Sequence, residues 1–174
     1  MLPSNVKASL NEWLAPSFPT FVVLSGPEGA GKSFAAWAAL REVGQAGTGF
    51  TCVSVAELLA AVGQGSLVDA ERQLDELGAV PVLLLDDLGA CGLAQSDKVW
   101  FGRLVERRWR DELKTIVVVV DPEEELAVSL GPHVTNRLFD PLATEHVAMS
   151  GKHRRTSPPE KPAVARAKGD ATAA

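Results

Sequence analysis

Residues 26–33, Gly26-Pro27-Glu28-Gly29-Ala30-Gly31-Lys32-Ser33, fit the spacing G-x-x-x-x-G-K-[ST]. Residue types at this spacing answer one chemical problem, that of holding a polyphosphate. Backbone N–H groups must close around dense negative charge, and Gly26 and Gly31 permit that approach because no Cβ stands between backbone and ligand. The helix that follows adds unpaired N–H groups and the positive end of its dipole. Lys32 is placed to reach the β- and γ-phosphates of ATP and the Ser33 hydroxyl to hold Mg²⁺, with Phe34 closing the run of candidate nucleotide contacts. A second candidate cluster ends the apolar run "VLLLDDLG". Two adjacent carboxylates at the end of a buried strand are costly unless a cation or a polarised water uses them. Asp86 is therefore read as acting through the Mg²⁺ shell, and Asp87 as orienting or deprotonating the attacking water.

These residues need elements to hold them. "FVVLS" before the glycine loop reads as a buried strand over 20–25, and "SFAAWAALREV" after it as a helix over 32–43. Further strands are expected at about 50–55, at "VPVLLLDD", at 115–120 and near 145–149. Helices are expected over "AELLAAV", 67–77, 96–113, 123–130 and 133–138. Apolar strands alternating with helices imply an α/β domain, a parallel five-stranded sheet buried on both faces between helices, with little or no lid domain. That domain spans 20–150. Ahead of it, 1–19 reads as a short helix (4–14) and a "PSFP" linker.

Composition narrows the class. A length of 174 residues suits one α/β domain, and 46% hydrophobic with 22% charged residues is ordinary for a soluble chain. Cys52 and Cys91 stand apart, with no zinc or disulfide spacing, and no apolar run approaches a membrane span or a signal peptide. The expectation is a cytoplasmic protein without a membrane partner. Residues 151–174 carry six basic against two acidic residues, whereas the first 150 carry eleven against twenty. The tail is rich in Pro and Ala and reads as a disordered, solvated end or a weak tether for nucleic acid. His133 and His146 lack ligand spacing and read as structural or surface residues.

In order along the chain, "GPEGAGKS", "FTCVSVAELLAAV", "LLLDDLG", "ERRWRDELKTIVVV", "ELAVSLGPHVTNRL" and "GKHRR" resemble the ATPase domain of DnaC-type helicase loaders and IstB-type transposition helpers, within the AAA+ superfamily. The likeness covers about residues 20–155. It implies a P-loop ATPase that binds ATP and Mg²⁺, self-associates with ATP, and engages single-stranded DNA, a replicative helicase or a transposase. It further implies Arg137 as an arginine finger reaching a neighbouring subunit's nucleotide, and Arg155 as the counterpart of the closing Gly-x-Ser-x-Arg. The family usually ends its fourth strand in an Asn that senses the γ-phosphate. Here that place falls to Val119, Val120 or Asp121, which implies slow turnover, or a non-hydrolysing adaptor that uses ATP as assembly glue. Only about twenty residues precede the domain, so the family's N-terminal partner-binding region is not expected. A small P-loop kinase is the remaining rival, against which "LLLDDLG" and "NRL" have no evident task. No guanine-reading N-K-x-D segment is present.

On the helix expected over 96–113, Arg103, Arg107, Arg110 and Lys114 share one narrow stripe at 100° per residue. The stripe reads either as a solvated face or as a strip that tracks DNA phosphates. Phe101, Leu104, Val105, Arg108 and Trp109 form the opposite, core-facing side. Arg108 in that company either snorkels outward or, as the resemblance suggests, faces the inter-subunit nucleotide.

Overall fold

The computed structural model describes residues 20–89 and 94–150, together with Ala8 and Trp13. Five strands form one sheet: β1 (Phe21–Ser25), β2 (Phe50–Ser54), β3 (Val82–Leu88), β4 (Lys114–Val119) and β5 (Thr144–Ala148). Their spatial order is β2-β3-β4-β1-β5, and every pairing is parallel. Parallel neighbours require crossovers, here supplied by α1 (Lys32–Gln45), α2 (Val55–Gln64), α3 (Leu67–Ala79), α4 (Gln95–Arg110), α5 (Glu123–Leu130) and α6 (Pro132–Leu138).

The unbroken apolar runs of β1, β3 and β4 follow from cover on both faces. Val22, Leu24, Leu84, Ile116 and Val118 point to one side, where they meet Ala35, Ala36, Ala39, Leu40 and Val43 of α1. Phe21, Val23, Leu83, Leu85, Val117 and Val119 point to the other, under Leu58, Leu59, Leu74, Phe101, Leu104, Leu126 and Leu138 of the remaining helices. Trp13 is fully buried beside the α1 layer, and its indole donates to the Thr20 carbonyl at 3.3 Å. Otherwise the expected 4–14 helix, the linker, Cys91 and the 151–174 tail, Arg155 included, lie outside the described residues. Among the described residues, no helix is long and apolar enough to cross a membrane.

Helix α4 ends at Arg110, three residues short of expectation. Glu112 takes a left-handed φ of 51°, Leu113 N–H bonds the Arg108 carbonyl at 3.0 Å and Glu112 N–H the Trp109 carbonyl at 3.3 Å. Those two bonds form a Schellman closure that satisfies the last helical carbonyls. Lys114 consequently opens β4 and does not continue the helical stripe.

β3 carries a local irregularity that decides the site. Leu85 pairs with Val117 and Leu88 with Val119, so Asp86 and Asp87 together oppose Val118 alone. The extra residue is a β-bulge, which reverses the side-chain alternation beyond it. Leu88 thereby joins Leu83 and Leu85 under the helices. An unbulged strand would aim Asp87 into that layer, whereas here it is exposed.

Candidate functional site

The loop between β1 and α1 leaves the C-terminal end of β1, between β4 and β5 in the sheet. Gly26, Gly29 and Gly31 all have positive φ, at 137°, 78° and 90°. Gly31 sits left-handed at the N-cap of α1 with open space about it, so its conformation is what demands glycine. Gly26 is constrained twice. A Cβ there would stand 2.1 Å from the Met149 carbonyl oxygen, because Met149 N–H extends the β1–β5 ladder by bonding the Ser25 carbonyl at 2.8 Å. The backbone after β5 therefore roofs the start of the loop. Beside it, Ser25 Oγ and His146 Nε2 share a 2.7 Å hydrogen bond, and His146 sets its ring edge-on to Phe139.

Lys32 is buried, and its Nζ donates to the carbonyls of Gly26 at 2.6 Å and Pro27 at 3.0 Å. Desolvation pushes its ammonium below the usual lysine value, against the opposing pull of Asp87, Glu28 and Asp86. Ser33 Oγ donates to Asp86 Oδ1 at 3.0 Å, and Asp87 N–H donates to the same oxygen at 3.1 Å. Adjacent oxygens around an octahedral Mg²⁺ with bonds of about 2.1 Å stand about 3 Å apart. Ser33 and Asp86 thus present hard oxygen donors at a spacing that suits this ion. Phe34, next along α1, is 52% exposed beside the loop. Thus the loop 26–33, Asp86 and Asp87 meet at one edge of the sheet.

Of the three positions at the end of β4, Val119 is buried in the core. Val120 is exposed, with its N–H on the Leu88 carbonyl at 3.1 Å. Asp121 is half-buried at the turn into α5.

Arg108 does not face outward. It is fully buried, and its guanidinium spends its donors on Leu77 O (2.7 Å), Val80 O (2.9 Å), Lys114 O (2.9 Å) and Thr115 Oγ1 (2.8 Å). Burial lowers its pKa to about 10, so it remains charged at neutral pH. A cation at the C-terminal carbonyls of α3 meets the negative end of that helix. Its role is to tie α3, α4 and β4 together, which corrects the inter-subunit expectation.

The arginines of the basic stripe are ion-paired. Arg103 makes a two-pronged contact with Glu71, and Arg107 pairs with Asp75, one turn further along α3. Arg110 pairs with Asp111 at 3.0 Å. Lys114 is half-buried, with its Nζ 5.8 Å from the centre of the Trp13 ring, and burial lowers its pKa. Between α3 and α4 the surface is a mixed-charge groove in which Glu71, Asp75, Glu106 and Asp111 answer Arg103, Arg107 and Arg110. The lining of that groove carries no net positive charge.

Arg137, in the last turn of α6, lies over the Trp109 ring with its Cζ 4.6 Å from the centroid. Its Nε and Nη2 both donate to the Glu106 carboxylate, the latter at 3.1 Å. That contact holds the Glu106 carboxyl below, and the Arg137 guanidinium above, their ordinary values. His133 Nε2 lies 3.4 Å from the same carboxylate. Glu106 had not stood out in the sequence, and Trp109 only as a core-facing residue, although their i, i+3 spacing within "ERRW" puts both on one helix face.

A glycine loop of P-loop spacing, a strand-end carboxylate pair beside it and a β2-β3-β4-β1-β5 sheet define a P-loop domain of the AAA+ class. The chain belongs to the IstB-like ATP-binding protein family, which it matches over residues 17–146. It is 27% identical over 119 residues to the replicative helicase loader DnaC of Escherichia coli strain K12, covering 67% of this chain and 49% of that protein. The chain therefore spans about half the length of the curated relatives it matches. Among solved structures it resembles DnaI (TM-score 0.73, 23% identity, 88% of this chain and 86% of that one). It also resembles the DnaC helicase loader (0.69, 19%, 84% and 86%). A third likeness is to the replication initiator DnaA bound to AMPPCP and single-stranded DNA (0.67, 19%, 86% and 46%). At these identities the structural likenesses establish the fold.

Proposed function

We propose that this chain is a slow, Mg²⁺-dependent ATPase whose nucleotide-bound form self-associates and assists a DNA-processing partner, a replicative helicase or a transposase. The observation that carries the reading is the Ser33–Asp86 contact at 3.0 Å, with Lys32 and Asp87 attached to the same cluster. Mg²⁺ would neutralise charge on the β- and γ-phosphate oxygens. Lys32 exchanges its carbonyl partners for phosphate oxygens, while the loop amides and the α1 N-terminus bind the remaining charge. Asp87, exposed on the bulge, accepts a proton from the attacking water or orients it. Arg137 acts in trans, stabilising charge on a second copy's nucleotide. The apolar Val119 and Val120 at the end of β4 support slow turnover, and they equally favour the second reading, an adaptor for which ATP is assembly glue.

Particle size and ATP turnover, measured for wild type, Lys32→Ala, Arg137→Ala and their mixture, test the reading. Arg137→Ala should bind ATP normally but fail in ATP-dependent association and in turnover. Mixing it with Lys32→Ala should restore activity, since each keeps the half that the other lacks. Association without turnover, even with DNA and partner, would select the adaptor. A monomer under every condition would move the assignment to a small kinase.

A further inference from the structure

Resting on Arg137 as a trans-acting group, we infer that Glu106 is its positioning residue and Trp109 its platform. Together they present one edge of the guanidinium to a second copy of this chain. The fork geometry carries the argument. Glu106 takes the Nε–Nη2 edge of Arg137, and among the described residues Nη1 has no hydrogen-bond partner. Arg137 Cζ lies over the Trp109 ring, yet the Arg137 side chain keeps 26% of its surface exposed. A phosphate oxygen arriving from outside can therefore bond Nη1 without breaking the ion pair.

Both holders project from one rigid helix three residues apart, so the guanidinium is fixed by a frame and not by a loop. Free arginine samples many rotamers, and ordering it in advance removes that entropy from the step in which it must act. Trp109 supports the reading independently. Its Nε1 is buried with no hydrogen-bond partner, a destabilising arrangement for an indole. A side chain chosen for stability alone would avoid that orphan donor, whereas one chosen as a flat platform under a cation tolerates it.

The test uses the full chain with saturating ATP, comparing wild type, Glu106→Gln, Glu106→Asp, Trp109→Phe and Arg137→Ala. Glu106→Gln should bind ATP within about twofold of wild type but lose about tenfold in kcat with KM unchanged. Mixing it with Lys32→Ala should restore turnover, which a variant that merely misfolds could not do. Trp109→Phe, which keeps the ring face and deletes the orphan N–H, should retain most of the turnover. Glu106→Asp should recover part of what Glu106→Gln loses. If Glu106→Gln turns over as wild type while Arg137→Ala is inactive, the positioning role is overturned and the finger stands. If Glu106→Gln is faster than wild type, the inference is again overturned, because Glu106 then restrains Arg137. If Arg137→Ala is itself active, the underlying reading fails, and this inference with it.

Discussion

At Asp87 the backbone and the chemistry make separate demands that one substitution series can pull apart. Its φ of 59° is left-handed, a conformation that Asp, Asn and Gly accept and most L-residues resist by about 1–2 kcal/mol. The side chain is exposed, so little packing is lost when it changes. Asp87→Asn should therefore keep both stability and ATP affinity. For Asp87→Gly the relief of backbone strain is offset by about 0.5–1 kcal/mol of extra unfolded-state entropy, leaving stability near wild type. Asp87→Ala and Asp87→Glu should each lose about 1 kcal/mol, or about 2–4 °C in Tm for a chain of this size. Turnover follows a different order. Asn, Gly and Ala all remove the carboxylate and should lose about 10²–10⁴-fold in kcat. Asp87→Glu keeps the charge but carries it one methylene further from a bulge shaped for Asp, and should be impaired in both respects. Thermal melts and ATP hydrolysis on the five proteins supply the data. A glutamate variant with wild-type Tm and kcat would refute the argument that the bulge selects the shorter acid. Asn turnover at the wild-type rate would refute Asp87 as the group that handles the water.

Lys32 gives a pH signature. Burial depresses its pKa below 10.5, so in alkaline solution the free protein loses this charge while the phosphate-bound form, favouring the ammonium, keeps it. ATP affinity should fall as pH rises through the depressed value, with proton uptake seen by calorimetry, and Lys32→Arg should flatten the dependence. Folding stability should move the opposite way over the same window, rising with pH up to 10.5, since the unfolded lysine binds its proton more tightly. Arg103→Glu and Arg107→Glu each break an exposed pair worth at most about 1 kcal/mol and should leave DNA affinity unaltered. A drop of about one unit in the salt-dependence slope per arginine would reinstate phosphate tracking. Arg108→Ala orphans the carbonyls of Leu77, Val80 and Lys114 and should cost about 3 kcal/mol or more, a fall of about 6–12 °C in Tm. An unchanged melting temperature would show that Arg108 is not the tie between α3, α4 and β4.

Where the residues can be read from a sequence depends on whether their task is local. The phosphate loop is legible because strand, glycines, lysine and helix are contiguous, and each residue type is required by one ligand at one place. The apolar runs of β1, β3 and β4 are legible because cover on both faces suppresses alternation. Arginines are harder, since one side chain can serve solvent, a phosphate, a carboxylate or a helix end, and periodicity gives only the direction it points. Arg103 and Arg107 look like a free basic strip until α3 is docked, because their partners Glu71 and Asp75 lie a whole crossover away in sequence. Arg108 was phased correctly with the core, yet its purpose depends on carbonyls contributed by α3 and by the start of β4. The bulge at Asp86–Asp87 was invisible for a related reason. "LLLDDL" is compatible with a regular strand, and only the register against β4 reveals that two residues oppose one. That single slip removes a carboxylate from the helix-covered layer, puts Leu88 in its place, and leaves Asp87 in a backbone conformation suited to Asp, Asn or Gly. The second acid of the pair is thus fixed by sheet geometry as well as by chemistry, which is why length and charge at this position should not be interchangeable.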